Sequence, residues 1–141
     1  MNLTRRQALI TAISAAAVAG FVPRSAMATT MEEAMAAFTG GAEATEGGAV
    51  IITAPEIAEN GNTVPVEVAA EGAARITIFA SGNPNPEVVT FAFGPLAAAQ
   101  RASTRIRLAG TQDVIVVAEM ADGSYQMAAQ EVKVTIGGCG G

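Results

Sequence analysis

From residue 49 onward the chain alternates apolar and polar positions with a period of two, in short runs broken by Gly, Pro, Asn and Asp. Such alternation places every second side chain on one face of a β-strand. Within 63–70, Val64, Val66 and Val68 share one face and Glu67 takes the other. Near the far end Val132, Val134 and Ile136 oppose Glu131, Lys133 and Thr135. The pattern predicts strands over 49–53, 63–70, 73–81, 88–93, 103–109, 114–120 and 124–136. The run 114–120 is almost continuously apolar, as for a strand covered on both faces. Asn60-Gly61 and Asp122-Gly123 supply turns. Pro65 has no backbone donor, so an edge or a bulge is expected there.

Before residue 49 the period changes. Met31, Ala34, Met35 and Phe38 fall on one side of a helix over 31–38, with Thr30 as N-cap and Glu32 and Glu33 in its first turn. Gly40-Gly41 can end it. The apolar stripe packs on its own domain or meets a partner. The Gly, Ala and Glu mixture over 41–48 reads as a linker, and 94–102 reads as a crossing segment. About seven strands with no helix between them predict an all-β, immunoglobulin-like antiparallel β-sandwich, preceded by a short N-terminal helix and followed by a flexible C-terminal arm. Open sheet edges in such a fold invite pairing with another β domain.

Three local features stand outside that pattern. The loop Gly82-Asn83-Pro84-Asn85-Pro86 contains two X-Pro steps, which stiffen it, and it reads either as a docking feature or as a rigid connector. Arg105 and Arg107 point to one side of their strand, able either to hold an anion such as sulfate or a sulfonate, or to sit solvated or beside acids. At the other end, Thr4-Arg5-Arg6-Gln7-Ala8-Leu9 precedes an uncharged stretch and Ala26-Met27-Ala28. That order reads as an export signal with an A-x-A cleavage pattern, and the paired arginines point to the twin-arginine route, beside the alternatives of an ordinary secretory signal or an uncleaved anchor. The apolar stretch is too short to favour permanent membrane insertion. The expected location is the periplasm.

Composition narrows the chemistry. All 13 acidic residues lie after residue 28, against Arg75, Arg101, Arg105, Arg107 and Lys133 among the 8 basic ones. An acidic chain of this kind is a poor match for nucleic acid. There is no histidine and no tryptophan, which removes the usual general base and the usual catalytic triads. No catalytic residue, metal ligand or cofactor site is expected, and the core must be aliphatic.

The single cysteine is Cys139, within Gly137-Gly138-Cys139-Gly140-Gly141. Flanking residues without side chains cannot build a core around it, so the thiol is expected to be exposed on a mobile tether. Five extended residues reach about 17 Å. An internal disulfide needs a second cysteine, a tetrahedral zinc site needs further ligands, and the position fits neither a lipobox nor a prenylation motif. What remains for an exported lone cysteine is intermolecular pairing or a reactive thiol. With no lysine, histidine or helix N-terminus nearby to lower its pKa from about 8.5, activation falls to whatever site receives the arm.

Val132-Lys133-Val134-Thr135-Ile136-Gly137-Gly138-Cys139-Gly140-Gly141 and Glu59-Asn60-Gly61-Asn62-Thr63-Val64-Pro65-Val66 resemble the SoxY family, sulfur-carrier subunits of the periplasmic thiosulfate-oxidising Sox system. Asn83-Pro84-Asn85-Pro86-Glu87, Thr104-Arg105-Ile106-Arg107-Leu108-Ala109 and Asp122-Gly123-Ser124 add to the resemblance, which covers essentially the whole chain after the signal. It implies a non-catalytic carrier with Cys139 as the covalent attachment point for thiosulfate-derived sulfur, carried as S-thiosulfonate and persulfide. It also implies a SoxZ heterodimer partner, the haem-containing SoxAX cytochrome, the SoxB hydrolase and, in many systems, the SoxCD sulfane dehydrogenase.

The expected organisation is a twin-arginine signal over 1–28, helix and linker over 29–48, a β-sandwich over 49–136 and a GGCGG swinging arm over 137–141. Two other readings stand beside the carrier. A ubiquitin-like protein would activate its Gly140-Gly141 carboxylate on a β-grasp fold in the cytoplasm, and a periplasmic β-sandwich binding module would carry the tail incidentally.

Overall fold

A computed structural model describes residues 29–135. Helix α1 (Met31–Thr39) opens it. Nine strands follow: β1 (Ala44–Glu46), β2 (Val50–Thr53), β3 (Ile57–Ala58), β4 (Val64–Ala70), β5 (Ala73–Ala80), β6 (Glu87–Ala92), β7 (Arg101–Ile106), β8 (Gln112–Met120) and β9 (Tyr125–Val134). They form two sheets, one ordered β1-β9-β8-β5-β6 with β3 also paired to β9, the other β2-β4-β7. The pairings among the longer strands are antiparallel, as the sandwich requires.

The main core lies between the sheets. Val64, Val66 and Val68 of β4 face Ile76 and Ile78 of β5, Val114 and Val116 of β8 and Val132 of β9, all fully buried or nearly so. A second cluster fills the opposite face of the larger sheet, where Ala34 and Phe38 of α1 cover Phe79 and Val117. Strands β5 and β8 are therefore buried on both faces, which accounts for the unbroken apolar run in β8. Burying such residues at about 25 cal/mol per Å² is the main term holding the layers together.

Helix α1 is specified locally at both ends. Thr30 and Glu33 form a reciprocal capping box, with Glu33 N–H donating to Thr30 Oγ1 at 3.2 Å and Thr30 N–H to Glu33 Oε2 at 3.0 Å. Gly40 closes it in the left-handed region at φ 66°. The apolar stripe is used inside the domain: the Phe38 ring meets Phe79 and Tyr125 edge-on, with centroids 6.2 and 5.9 Å away. The Arg75 guanidinium lies 4.9 Å above the same ring and pairs with Glu119.

The strands depart from the sequence pattern in three places. The stretch read as linker contains β1, which joins β9 in parallel at Ala44↔Tyr125. The two-residue β3 also joins β9 in parallel. Neither has room for alternation, and each joins the sheet chiefly through its backbone pairing, with Ala58 also buried in the main core and Ala44 packed on the second cluster. Strand β7 begins at Arg101, where the register Ala69↔Arg101 and an ion pair between Arg101 and Glu67 extend it into the segment read as a crossing. It ends at Ile106, so Arg107 lies just beyond it.

Pro65 meets its expectation in a specific way. Strand β4 is central in its sheet, but β2 pairs only as far as Glu67. At Pro65 the strand has β7 alone beside it, through Pro65↔Arg105 with no break in register. The missing donor thus falls at a local edge.

Candidate functional site

Cys139 and its flanking Gly137, Gly138, Gly140 and Gly141 lie outside the described residues, as does the export segment 1–28. The structure does describe the place from which the 136–141 segment departs. Strand β9 pairs with β8 along its length, Gln112↔Val132 being the last pair, and with β3 at Ile57↔Lys133 and Ala58↔Val134. Its final residues are gripped from both sides. Lys133 N–H donates to Glu56 O at 2.9 Å and Thr135 N–H to Ala58 O at 3.0 Å. On the other flank Val134 N–H donates to Thr111 Oγ1 at 3.0 Å.

Gly61 is wedged into the same place. Its carbonyl accepts from Leu108 N–H at 2.7 Å. A Cβ there would stand 2.7 Å from Leu108 O and 2.9 Å from Val134 Cγ1. Residue 61 therefore has to be glycine for the end of β9 and the chain after β7 to approach each other, a requirement of space and not of backbone angle.

Beside this junction Asn83 and Gln112 tie the β5–β6 loop to the β7–β8 connection. Asn83 Nδ2 donates to Arg107 O at 2.8 Å, and its Oδ1 accepts from Ala109 N–H at 2.9 Å and Gln112 Nε2 at 3.1 Å. Gln112, only 7% exposed, also donates to Gly110 O at 3.0 Å and accepts from Gly82 N–H at 2.8 Å. A buried amide with its donors and acceptor occupied is a rigidifying element. The stiff Asn-Pro-Asn-Pro loop is thereby anchored to the same end of the sandwich as the departing segment.

Arg105 and Arg107 are both exposed, and the ion pairs among the described residues are Arg75–Glu119 and Arg101–Glu67. The groups with shifted pKa values lie elsewhere. The Glu119 carboxylate bonded to Arg75 raises that guanidinium, and hydrogen bonds from Ser124 hold the Asp122 carboxyl below its ordinary value. Among the described residues no group of three His, Cys, Asp or Glu side chains is placed to hold a metal, and no helix is long and apolar enough to cross a membrane.

The sequence pattern placed Arg105, Arg107 and the 82–86 loop on view as candidates, and the structure brings Arg107 and that loop together. Gly61 was visible as a turn residue but not as a wedge. The role of Gln112 had no sequence signal beyond a polar residue opening an apolar run.

A two-sheet immunoglobulin-like sandwich whose last strand is clamped to its final residues defines a β domain that holds a trailing segment at a fixed point. The family model described as sulfur oxidation protein SoxY matches residues 35–139, and the chain belongs to the SoxY family. It resembles the structure of the sulfur carrier protein SoxY from Chlorobium limicola f thiosulfatophilum, at 41% identity and a TM-score of 0.68, over 77% of this chain and 99% of that one. A superoxide reductase (neelaredoxin) variant from Ignicoccus hospitalis shares the fold alone, at 20% identity and a TM-score of 0.55, over 75% of this chain and 93% of that one. No curated protein matches the chain.

Proposed function

We propose that this chain is a covalent sulfur carrier in thiosulfate oxidation, holding pathway intermediates on Cys139 and presenting them to partner enzymes. The observation that supports it is membership of the SoxY family over a match that runs to Cys139, the only cysteine in the chain. The sequence carries no histidine, and the 137–141 segment no lysine, to activate that thiol, which fits a protein that is a substrate of other enzymes and not itself an enzyme.

The chemistry has two steps on the carrier. Thiosulfate joins the Cys139 thiol as an S–S bond is made, leaving Cys–S–S–SO₃⁻; one proton is released, and a haem-containing SoxAX-type cytochrome would take up the two electrons. Water then attacks the terminal sulfonate sulfur in a SoxB-type hydrolase; the S–S bond to that sulfur breaks, sulfate and a proton are released, and the persulfide Cys–S–SH is left. Where a SoxCD-type dehydrogenase is present, it oxidises the remaining sulfane sulfur before a further hydrolysis frees the thiol. Glycines on both sides of Cys139 let one small sulfur enter several active sites in turn, while the clamp on β9 fixes the base. The same reading includes twin-arginine export of residues 1–28 to the periplasm, a GGCGG swinging arm over 137–141 and a SoxZ-type heterodimer partner.

The test is the mass of the Cys139 peptide after exposure to thiosulfate and the partner enzymes. Adducts of thiosulfate or sulfane sulfur are expected, and Cys139→Ser is expected to abolish thiosulfate-dependent electron transfer. Undiminished turnover in that variant refutes the proposal. Chemistry confined to the Gly141 carboxylate would indicate a ubiquitin-like carrier instead, although a sandwich with no helix between its strands does not suit a β-grasp.

A further inference from the structure

Five residues, Asn83, Pro84, Asn85, Arg107 and Ala109, line a cavity of about 300 Å³ at the arm-bearing end of the sandwich. Its lining differs from that of three other cavities, each of which includes a carboxylate: Glu71, Glu67 and Glu87. In a chain with 13 acidic residues, a cavity lined by an arginine and no acid is electrostatically distinct.

Two of its lining residues, Arg107 and Asn85, bring side-chain N–H donors. The guanidinium of Arg107 takes part in no ion pair among the described residues, and it offers a planar fork of N–H groups matched to an oxoanion. The one acceptor that Asn83 could turn on an anion is already occupied, because Oδ1 receives both Ala109 N–H and Gln112 Nε2. The bond from Asn83 Nδ2 to Arg107 O then fixes the backbone that carries the arginine. Asn85, exposed between two prolines, adds an amide from a loop too stiff to fold away.

Position gives the site its relevance. Leu108, next to Arg107, and Val134, next to Thr135, flank the same point beside Gly61. From Thr135 to Cys139 the chain has four more residues, about 13 Å when extended.

We infer that this cavity is a binding site for a singly exposed sulfur oxoanion of the sulfonate or thiosulfate class, with Arg107 as its principal donor. Where the anion is tethered, the inference rests on the carrier reading above: the terminal SO₃⁻ of a Cys139 adduct would rest there between visits to enzymes. Where it is free, thiosulfate occupies the same donors.

Nuclear magnetic resonance on the full nitrogen-15-labelled chain tests it in two arms. In one, sodium thiosulfate is titrated against sodium chloride at matched ionic strength. In the other, tetrathionate loads Cys139: the thiolate attacks one central sulfur, thiosulfate leaves, and Cys–S–S–SO₃⁻ remains, as verified by intact mass, with Cys139→Ser as control. The expected result is saturable movement of the Asn85 side-chain amide, the Ala109 and Gly110 backbone amides and Arg107 Nε. Arg107→Gln is expected to weaken the thiosulfate response roughly tenfold, the loss of one charge-assisted contact, and Asn85→Ala to weaken it less. Movement only on loading assigns the site to tethered cargo, and movement only with free thiosulfate assigns it to the free anion. No saturable movement in either arm, movement reproduced by chloride, or a response unchanged in Arg107→Gln overturns the site. The carrier reading is judged separately, by the Cys139 adduct formed with the partner enzymes.

Discussion

The two ends of the sandwich are closed by different means. At one end the β8–β9 hairpin closes through contacts between near neighbours. Asp122 Oδ1 accepts from Ser124 N–H at 2.9 Å and Ser124 Oγ at 2.6 Å, and Gly123 turns the chain at φ 85° with its N–H on Met120 O at 2.9 Å. At the other end, where β9 finishes, the ties join residues far apart in the chain: Asn83 to Arg107 and Ala109, Gly82 to Gln112, Val134 to Thr111, and Thr135 to Ala58. A local turn forms wherever its residues occur. The end where β9 finishes exists only once four separate chain segments have met, and it thereby becomes a rigid base for whatever segment follows β9.

The comparison breaks first at Gly61. Gly61→Ala forces a methyl against Leu108 O and Val134 Cγ1 and is expected to cost about 1–3 kcal/mol through overpacking, read by urea unfolding. Hydrogen exchange should show faster opening at Val134 and Thr135 while the 120–125 turn keeps its protection. An unchanged midpoint would mean that the two chain segments are not held together at this point.

Next in size is Gln112→Ala, which removes the bridge between Asn83, Gly82 and Gly110. A loss of about 1–2 kcal/mol is expected, together with increased exchange at Gly82 and Ala109. If the loss were confined to the midpoint and the loop amides stayed protected, the bridge would be dispensable to the loop.

Gly123→Ala probes the other end. A side chain at positive φ costs about 1 kcal/mol, and because the turn is local its effect should stop at the hairpin, leaving Thr135 exchange unaltered. Spread of the effect to the end of β9 would erase the distinction.

The smallest expected effect is Asp122→Asn, in which pH supplies the signature. The folded carboxyl is held below its ordinary value by Ser124, so its contribution is present above the unfolded pKa, about 3.9, and is lost as pH falls through the lower folded value. The difference between Asp122→Asn and the parent chain should therefore be present at neutral pH and vanish in strong acid. A difference that grew on acidification would contradict the assigned cause.

Much of the fold was legible before any coordinates. The alternation in β4 and the end of β9, the Thr30 N-cap of α1 and the Asp122-Gly123 turn each express a preference spanning a few residues, and each appears where it was expected. The strands β1 and β3 were not legible, because an edge pairing made by backbone groups leaves no apolar period. For the candidate site, Cys139 and its glycines stood out by composition, and Arg107 and the 82–86 loop stood out separately. Nothing local indicated that the last two meet, since Asn83 and Arg107 are joined by tertiary contact across 24 positions.

The sequence by itself determined the type of each long element, the fold class and the residue chemistry: an acidic β-sandwich with one thiol between glycines and no histidine. Periodicity, capping and turn chemistry act over a few residues and are written directly in the chain. Tertiary structure alone decided which loops converge beside the end of β9, why residue 61 has room only for a hydrogen, and that Arg107 lies beside a stiff loop in a cavity without carboxylates. Those outcomes depend on strand register and on the packing of one sheet against the other, which no short stretch of sequence contains.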